Sequence, residues 1–372
     1  MNVYETRREK IYDWMARENI SLVMFEDTED RRDTSIRWMT GHPGDALLFL
    51  SVDKQALLVP WDINMAKIFA AVDAIIPYAD FDRHSISALK AGANYFKTPF
   101  GSKVEIPPVT PYPIFLQYVE ALTDFDILCR SGGIRAEVEK LRTIKDEEEL
   151  RIYQELSVIT NTVIELLEKN VREGNLKTEA DLALFIEAEG RKRGCEGTGF
   201  ETLAAGPGRS FGIHAFPAYT AGDFATPGLS ILDFGLKYAG YTSDVTLTFV
   251  REPLSRSQEK LLSLTEKAYK LALSLMKNGA VARDIAQAVD VFFDQSKKRM
   301  PHGLGHGIGL EAHEAPALRN RADNAWVLQP GMIVTLEPGL YDPVHGGCRL
   351  ENDILITETG ITVLTNAKII RL

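Results

Sequence analysis

The sequence predicts an α/β domain over residues 1–133, followed by an α+β domain over residues 134–372 built of two successive helix–helix–hairpin halves. Three observations carry this. The 372 residues amount to about two to three typical domains. The first part of the chain mixes helical and strand patterns, and a small-residue break, Ser131-Gly132-Gly133, follows it. Beyond that break the order helix, helix, strand pair occurs twice.

In the first domain, Tyr4 to Arg17 is rich in charge and in good helix formers and reads as a helix. Ile20 to Phe25 reads as a buried strand. Ala46 to Leu50 and Ala56 to Val59 are short apolar runs on either side of Asp53-Lys54, a turn signal. Pro107 to Pro113 is proline-rich. The histidines of this part, His42 and His84, have no carboxylate or cysteine cluster around them and read as ordinary core or surface residues.

In the second domain, a long helical stretch is expected from Ala136 to Val171. Leu150, Tyr153, Leu156, Val163 and Leu167 lie at helical spacing there, and Gly174 is the stop. A second helix runs from a Thr178 cap to Gly194. Period-two patterns follow at Leu229–Phe234 and Thr242–Val250. The other half opens at Ser255-Arg256-Ser257-Gln258, which has capping-box spacing, and its helix ends near Gly279. Another helix covers Ala282 to Lys297, and strands return at Met332–Glu337 and Arg349–Thr357. The halves share a pattern but little sequence.

Composition narrows the function. Apolar residues make up 45% and charged residues 25%, ordinary for a soluble globular protein. A net charge of −10 argues against nucleic acid or an anionic membrane as partner. No apolar run is long enough to cross a bilayer. The start Met1-Asn2-Val3-Tyr4-Glu5 lacks a signal-peptide pattern. Cys129, Cys195 and Cys348 are odd in number and widely spaced, which predicts a reducing compartment, the cytoplasm.

The chemistry is concentrated in the hairpins. A hairpin folded about Tyr238-Ala239 sets Asp233 opposite Asp244. A second, folded about Val344, sets Glu337 opposite Glu351. Opposed residues have Cβ atoms about 4.5–5.5 Å apart, so like charges there repel unless a cation joins them. One such pair reads as solvated surface charge; two pairs embedded in apolar strands read as a metal site. Between the hairpins, the run from Pro301 to Pro316 holds His302, His306 and His313 among the chain's 7 histidines. Its glycines disfavour a helix and let backbone approach a ligand closely. Four carboxylates and an imidazole are mainly hard donors. They suit manganese, with cobalt, zinc or iron as alternatives, and lack the thiolates of structural zinc sites. Four negative charges balance two divalent ions, and a two-metal site predicts hydrolysis.

On these residues the chain resembles the pita-bread metallopeptidases: Xaa-Pro dipeptidases (prolidases), aminopeptidase P and methionine aminopeptidase. The signatures are the Asp233–Asp244 hairpin, the His302–Pro316 run, Glu337-Pro338-Gly339 and Arg349-Leu350-Glu351, in family order over Arg135 to Leu372. Trp38-Met39-Thr40-Gly41 followed by Ala46-Leu47-Leu48 is a weaker likeness to the amino-terminal domain of prolidases and creatinases, which methionine aminopeptidases generally lack. The chain length favours a dipeptidase over aminopeptidase P.

The resemblance implies roles. Asp233 chelates one metal, Asp244 and Glu351 bridge both, and His306 and Glu337 hold the other. Glu337 is also the general base. His313 stabilises the oxyanion or contacts the substrate carbonyl. His214 lies near the residue after the scissile bond. His302 is on the substrate side, and Arg349 binds a substrate carboxylate or supports the ligands. Thr246, on the face of Asp244, is a supporting hydrogen-bond donor, and Tyr241 matches a family position. The implied substrate is a small proline-containing peptide, and the implied assembly is a homodimer.

Three positions depart from the family pattern. Leu247 replaces arginine but faces away from Asp244. Asn352 replaces an acid, which is expected to weaken the charge balance. Cys348 replaces a small aliphatic residue and is expected simply to pack. The competing functions are a metal-free hydrolase like creatinase, a lyase on the same scaffold, and a peptide-binding module without catalysis. The intact ligand set argues against the first and last. Fold and ligands do not exclude the lyase.

Overall fold

The computed structural model of the chain describes residues 2–372. The chain divides into two compact units, Met1–Leu141 and Arg142–Leu372. No helix of the described residues is long and apolar enough to cross a membrane.

The first unit is built on a six-stranded sheet. Its centre is the antiparallel run Leu22–Asp27, Ala46–Ser51 and Gln55–Pro60, and the short outer strands pair in parallel. Leu22–Asp27 and Ala46–Ser51 are buried along their whole length, which is why they read as continuous rather than alternating apolar runs. Lys54, with φ +63°, makes the turn expected at Asp53-Lys54. The helix Val3–Glu18 opens on a capping box between Asn2 and Glu5.

The long helical stretch expected after the small-residue break is itself broken. Helices Ile134–Arg142 and Glu147–Arg172 replace the single helix expected from Ala136 to Val171. The physical cause is local: Asp146 forms a capping box with Glu149 and starts a new helix. Just before it, the Lys145 amide donates to the Gly331 carbonyl (2.9 Å), and Ile144 bridges Met332, so the linker is extended. The other helices start where their caps lie, Glu179–Lys192 behind Thr178 and Arg256–Leu275 behind Ser255 with Gln258.

The two larger sheets of the second unit have four and five strands. One orders the strands Ile369–Arg371, Val245–Arg251, Gly228–Phe234 and Leu203–Ala205. The other orders Glu314–Leu318, Gly305–Gly307, Ile333–Leu336, Asn352–Ile356 and Ile361–Val363. They meet where the Glu351 amide donates to the Thr246 carbonyl, 3.1 Å away.

The first hairpin differs from expectation in register. Lys237 pairs with Thr242 and Tyr238 with Tyr241, so the turn is Ala239-Gly240 rather than Tyr238-Ala239. Both turn residues have positive φ, 50° and 88°, the geometry of the tight hairpin turn that glycine favours at its second position. Asp233 therefore pairs with Thr246, and Asp244 is its diagonal neighbour rather than its direct opposite. An even slip keeps both carboxylates on one face, so the consequence for the site is small. Gly235 permits the close crossing: a Cβ there would lie 2.0 Å from the Ser243 carbonyl oxygen. The second hairpin has the expected register. Gly339 pairs with Arg349 and Leu336 with Asn352, which puts Glu337 at the position facing Glu351.

Behind the first sheet, Phe249 packs edge-on against Phe224 with ring centroids 5.3 Å apart, and both are fully buried. Phe249→Ala is expected to cost about 3–5 kcal/mol of stability, read as a lower urea midpoint at unchanged slope. A loss below about 1 kcal/mol would mean that this core is not closely packed.

Candidate active site

Asp233, Asp244, Glu337, Glu351, His214, His306 and His313 line one cavity of about 510 Å³. Asp233 comes from the strand Gly228–Phe234, and Asp244 from the break just before Val245–Arg251. Glu337 and Glu351 follow and precede strands of the second sheet. His306 sits mid-strand in Gly305–Gly307, where a Cβ on Gly305 would lie 2.1 Å from the Thr335 carbonyl oxygen. A larger and more open groove of about 590 Å³, near Arg321 and Trp326, contains none of these groups.

The cluster has the chemistry of a cation site. Asp244, His306 and Glu351 each offer a ligand atom, and these atoms lie within 4.8 Å of one another. His306 Nε2 is 3.8 Å from Asp244 Oδ2 and 3.7 Å from Glu337 Oε1, too far for hydrogen bonds but short enough for atoms that share a ligand. His306 Nδ1 lies 3.1 Å from the Gly307 carbonyl oxygen. That oxygen can only accept, so Nδ1 carries the proton and Nε2 presents its lone pair to the cavity. One oxygen of Asp233 and one of Asp244 are buried without a hydrogen-bond partner. Buried polar atoms normally have partners, and a divalent ion satisfies both of these.

Electrostatics agree. Burial, then Glu351 and Asp233, push the Asp244 carboxyl well above its usual range. Burial, then the Asp233 charge, push Glu351 up to about 7. Glu337 is raised by burial and by Glu351. Burial, then His313, push His306 down to about 3, so it is neutral and able to ligate. A cation inverts this logic, because it stabilises the charged carboxylates that burial disfavours.

A layer of polar groups supports the carboxylates. Thr246 Oγ1 accepts from Arg349 Nε (2.9 Å) and donates to Glu351 Oε2 (2.7 Å), the supporting position expected of Thr246. Arg349 also pairs with Asp233 Oδ2 and donates to the Ile213 carbonyl and to Tyr341. His302 lies 3.0 Å from the Tyr341 hydroxyl through Nε2 and 2.8 Å from the Gly303 carbonyl oxygen through Nδ1. His302, expected on the substrate side, and Arg349, expected either to bind a substrate carboxylate or to support the ligands, are not in the cavity lining. The nitrogens of Arg349 are thus engaged with Asp233, Thr246, Ile213 and Tyr341. His313 and His214 are exposed at the wall, and the His313 ring stands 4.0 Å from that of His306.

The departures from the family pattern resolve simply. Asn352 turns its side chain to Tyr269, Thr365 and Ala367, all away from the carboxylates. The next residue, Asp353, is buried beside the cluster, and its Oδ2 accepts from the Asp244 amide (3.2 Å). Asp353 is a supporting residue that sequence reasoning missed. Its only signal was alternation, which puts it on the face of Glu351. Cys348 is fully buried and its thiol is pushed up to about 11, so it packs. Leu247 is fully buried. Tyr241 donates to Glu149 (2.9 Å) on the helix Glu147–Arg172. Phe200 and Phe216, also in the cavity wall, carried no signal in the sequence.

Comparison with known proteins adds to this geometry. A model described as metallopeptidase family M24 matches residues 151–358. An uncharacterized peptidase of Bacillus subtilis, YqhT, is 30% identical over 346 residues, 90% of this chain and 92% of that one. The Xaa-Pro dipeptidase of Pyrococcus furiosus is 32% identical over 236 residues, 62% of this chain and 65% of that one. Among solved structures, a Xaa-Pro dipeptidase from Bacillus anthracis aligns with a TM-score of 0.85 at 26% identity, covering 99% of this chain and 100% of that one. An X-Pro aminopeptidase from Thermotoga maritima aligns with a TM-score of 0.85 at 25% identity, covering 98% and 99%.

Proposed function

The chain belongs to metallopeptidase family M24, and from that premise we propose that this metallo-exopeptidase of pita-bread fold cleaves the bond before proline, dipeptides being its substrates. Residues 134–372 form the catalytic domain. The observation that carries the proposal is the buried carboxylate–imidazole cluster with unpartnered oxygens, opening on a peptide-sized cavity. The similarity to Xaa-Pro dipeptidases supports the proline specificity.

Two divalent ions, manganese by donor type, suit this set. By the family resemblance Asp233 would hold one, His306 and Glu337 the other, and Asp244 and Glu351 would serve both. Bound there, the ions would lower the pKa of water and polarise the scissile carbonyl. The protein's own residues do the rest. Glu337 takes the proton of the attacking water as general base. His313, kept below its usual pKa by partial desolvation at the cavity wall, is neutral near pH 7 and donates an N–H to the developing oxyanion. His214 faces the leaving group. Arg349 and Thr246 hold Asp233 and Glu351 in place.

The test is turnover of a Xaa-Pro dipeptide and a Xaa-Pro-Xaa tripeptide by metal-stripped protein, with and without added manganese. Manganese-dependent cleavage of the dipeptide alone is expected. Cleavage of the tripeptide is the outcome for aminopeptidase P, which the likeness to the X-Pro aminopeptidase supports. No cleavage of either by metal-loaded protein would redirect attention to another reaction, such as a lyase, on this scaffold. A homodimer in the cytoplasm completes the proposal. The dimer rests on the family resemblance and is checked by light scattering. The free cysteines support the compartment.

A further inference from the structure

One wall of the cavity is irregular chain. Residues 206–223 run from the strand Leu203–Ala205 toward Gly228–Phe234 without a helix or strand of their own. They bring His214 and Phe216 to the cavity, and Phe216 is 96% exposed. A segment with so little regular structure holds a side chain in place only if something ties it down.

Ser210 donates to the Leu229 carbonyl (2.7 Å) and accepts from the Gly347 amide (3.1 Å), and Arg349 holds the Ile213 carbonyl; the two ends are tied by one carboxylate. Glu179, in the first turn of the helix Glu179–Lys192, is 1% exposed. Its Oε1 accepts from the Gly206 amide (2.8 Å) and Arg209 Nε (3.1 Å). Its Oε2 accepts from the Thr220 amide (2.7 Å) and Thr220 Oγ1 (2.6 Å). One side chain thus closes both ends of the segment, and Arg209 spans its interior by a second bond to the Pro217 carbonyl. The helix returns the contact: the Glu179 and Ala180 amides donate to the Gly222 and Thr220 carbonyls, each at 2.9 Å. The ends are in van der Waals contact, since a Cβ on Gly206 would lie 2.3 Å from the Asp223 carbonyl oxygen. Partners that all donate are satisfied by an ionised carboxylate and by no neutral side chain of its size.

We propose that Glu179 is a positioning residue for the reaction: it ties Gly206, Arg209 and Thr220 together and so holds His214 and Phe216 where the peptide's side chains are gripped. This rests on the reading that the cavity takes a Xaa-Pro dipeptide. Glu179 touches neither substrate nor ligand, so its loss acts through the wall it fixes.

Glu179→Gln sets an amide NH₂ against those donors. The expected result is a rise in KM for a dipeptide with a large apolar first residue, by about tenfold or more, with bound manganese unchanged. In the double variant with Phe216→Ala the two losses should fall well short of adding, because both act through one wall. Amide hydrogen exchange should quicken across 206–223 and stay slow across 228–251. Arg209→Met, at a half-buried site, should shift both readouts the same way by less, and serves if Glu179→Gln folds poorly. Unchanged KM and unchanged local exchange in Glu179→Gln would overturn the proposal. So would exchange that quickens throughout the unit, or fully additive losses, both of which mark a general structural role. Failure of the wild type to cleave any Xaa-Pro dipeptide would instead sink the substrate reading, and the exchange data would still decide whether Glu179 holds the wall.

Discussion

Asp244→Asn is expected to abolish peptide hydrolysis and reduce bound metal while leaving the fold intact. Asp244 is 4% exposed, and burial together with Glu351, Asp233, Asp353 and Glu337 drives its carboxyl well above its ordinary pKa. Asparagine has nearly the same shape and resembles the protonated acid that this environment favours in the metal-free protein. The variant should therefore fold at least as stably as the metal-free wild type. What it loses is a negative charge and a second ligand oxygen able to bridge. A ligand that binds only the folded state stabilises it by about 4 kcal/mol at a thousand times its dissociation constant. Addition of manganese should accordingly raise the thermal midpoint of the wild type and leave that of Asp244→Asn nearly unmoved. Full activity in the variant, or an undiminished metal-dependent shift, would remove Asp244 from the metal site.

The second large effect is expected at His313, and its sign on metal is opposite. His313→Ala should keep its metal and lose turnover by about 10²–10³-fold in kcat, the range for one lost oxyanion donor. The His313 ring stands 4.0 Å from the His306 ring, so the two histidines are neighbours with different tasks. His306 is buried, with Nδ1 committed to the Gly307 carbonyl and Nε2 turned to the carboxylates. His313 is exposed at the wall and has no such commitment to the cluster. Metal analysis beside steady-state kinetics separates the roles. Unchanged turnover in His313→Ala would take it out of the mechanism, and lost metal would make it part of the site that holds the ions.

Much of this protein was legible from its sequence because the relevant signals are local. Helix starts at Thr178 and Ser255 follow from caps a few residues long. The Asp146–Glu149 capping box was equally local, and it explains why one long helix is really two. Alternation alone put Thr246 on the face of Asp244, and the turn at Val344 alone put Glu337 facing Glu351. The first hairpin was misplaced because its register depends on which two residues adopt positive φ, and Gly240 marks the second of them.

What only the tertiary structure decided is which distant segments meet. From sequence Arg349 reads as a support for the carboxylates or as a substrate contact, and in the fold Asp233, Thr246 and Ile213 from other parts of the chain engage its nitrogens. Asp353 reads as one more strand residue until burial sets it against the Asp244 amide. Glu179 reads as an ordinary first-turn acid until the segment 206–220 folds back onto it. Short-range patterns specify dihedral angles and faces, so the sequence by itself determined the elements and the ligand types. Hydrogen bonds between remote residues form only once packing has brought them together, so the partners of each group, and with them its task, were set by the fold.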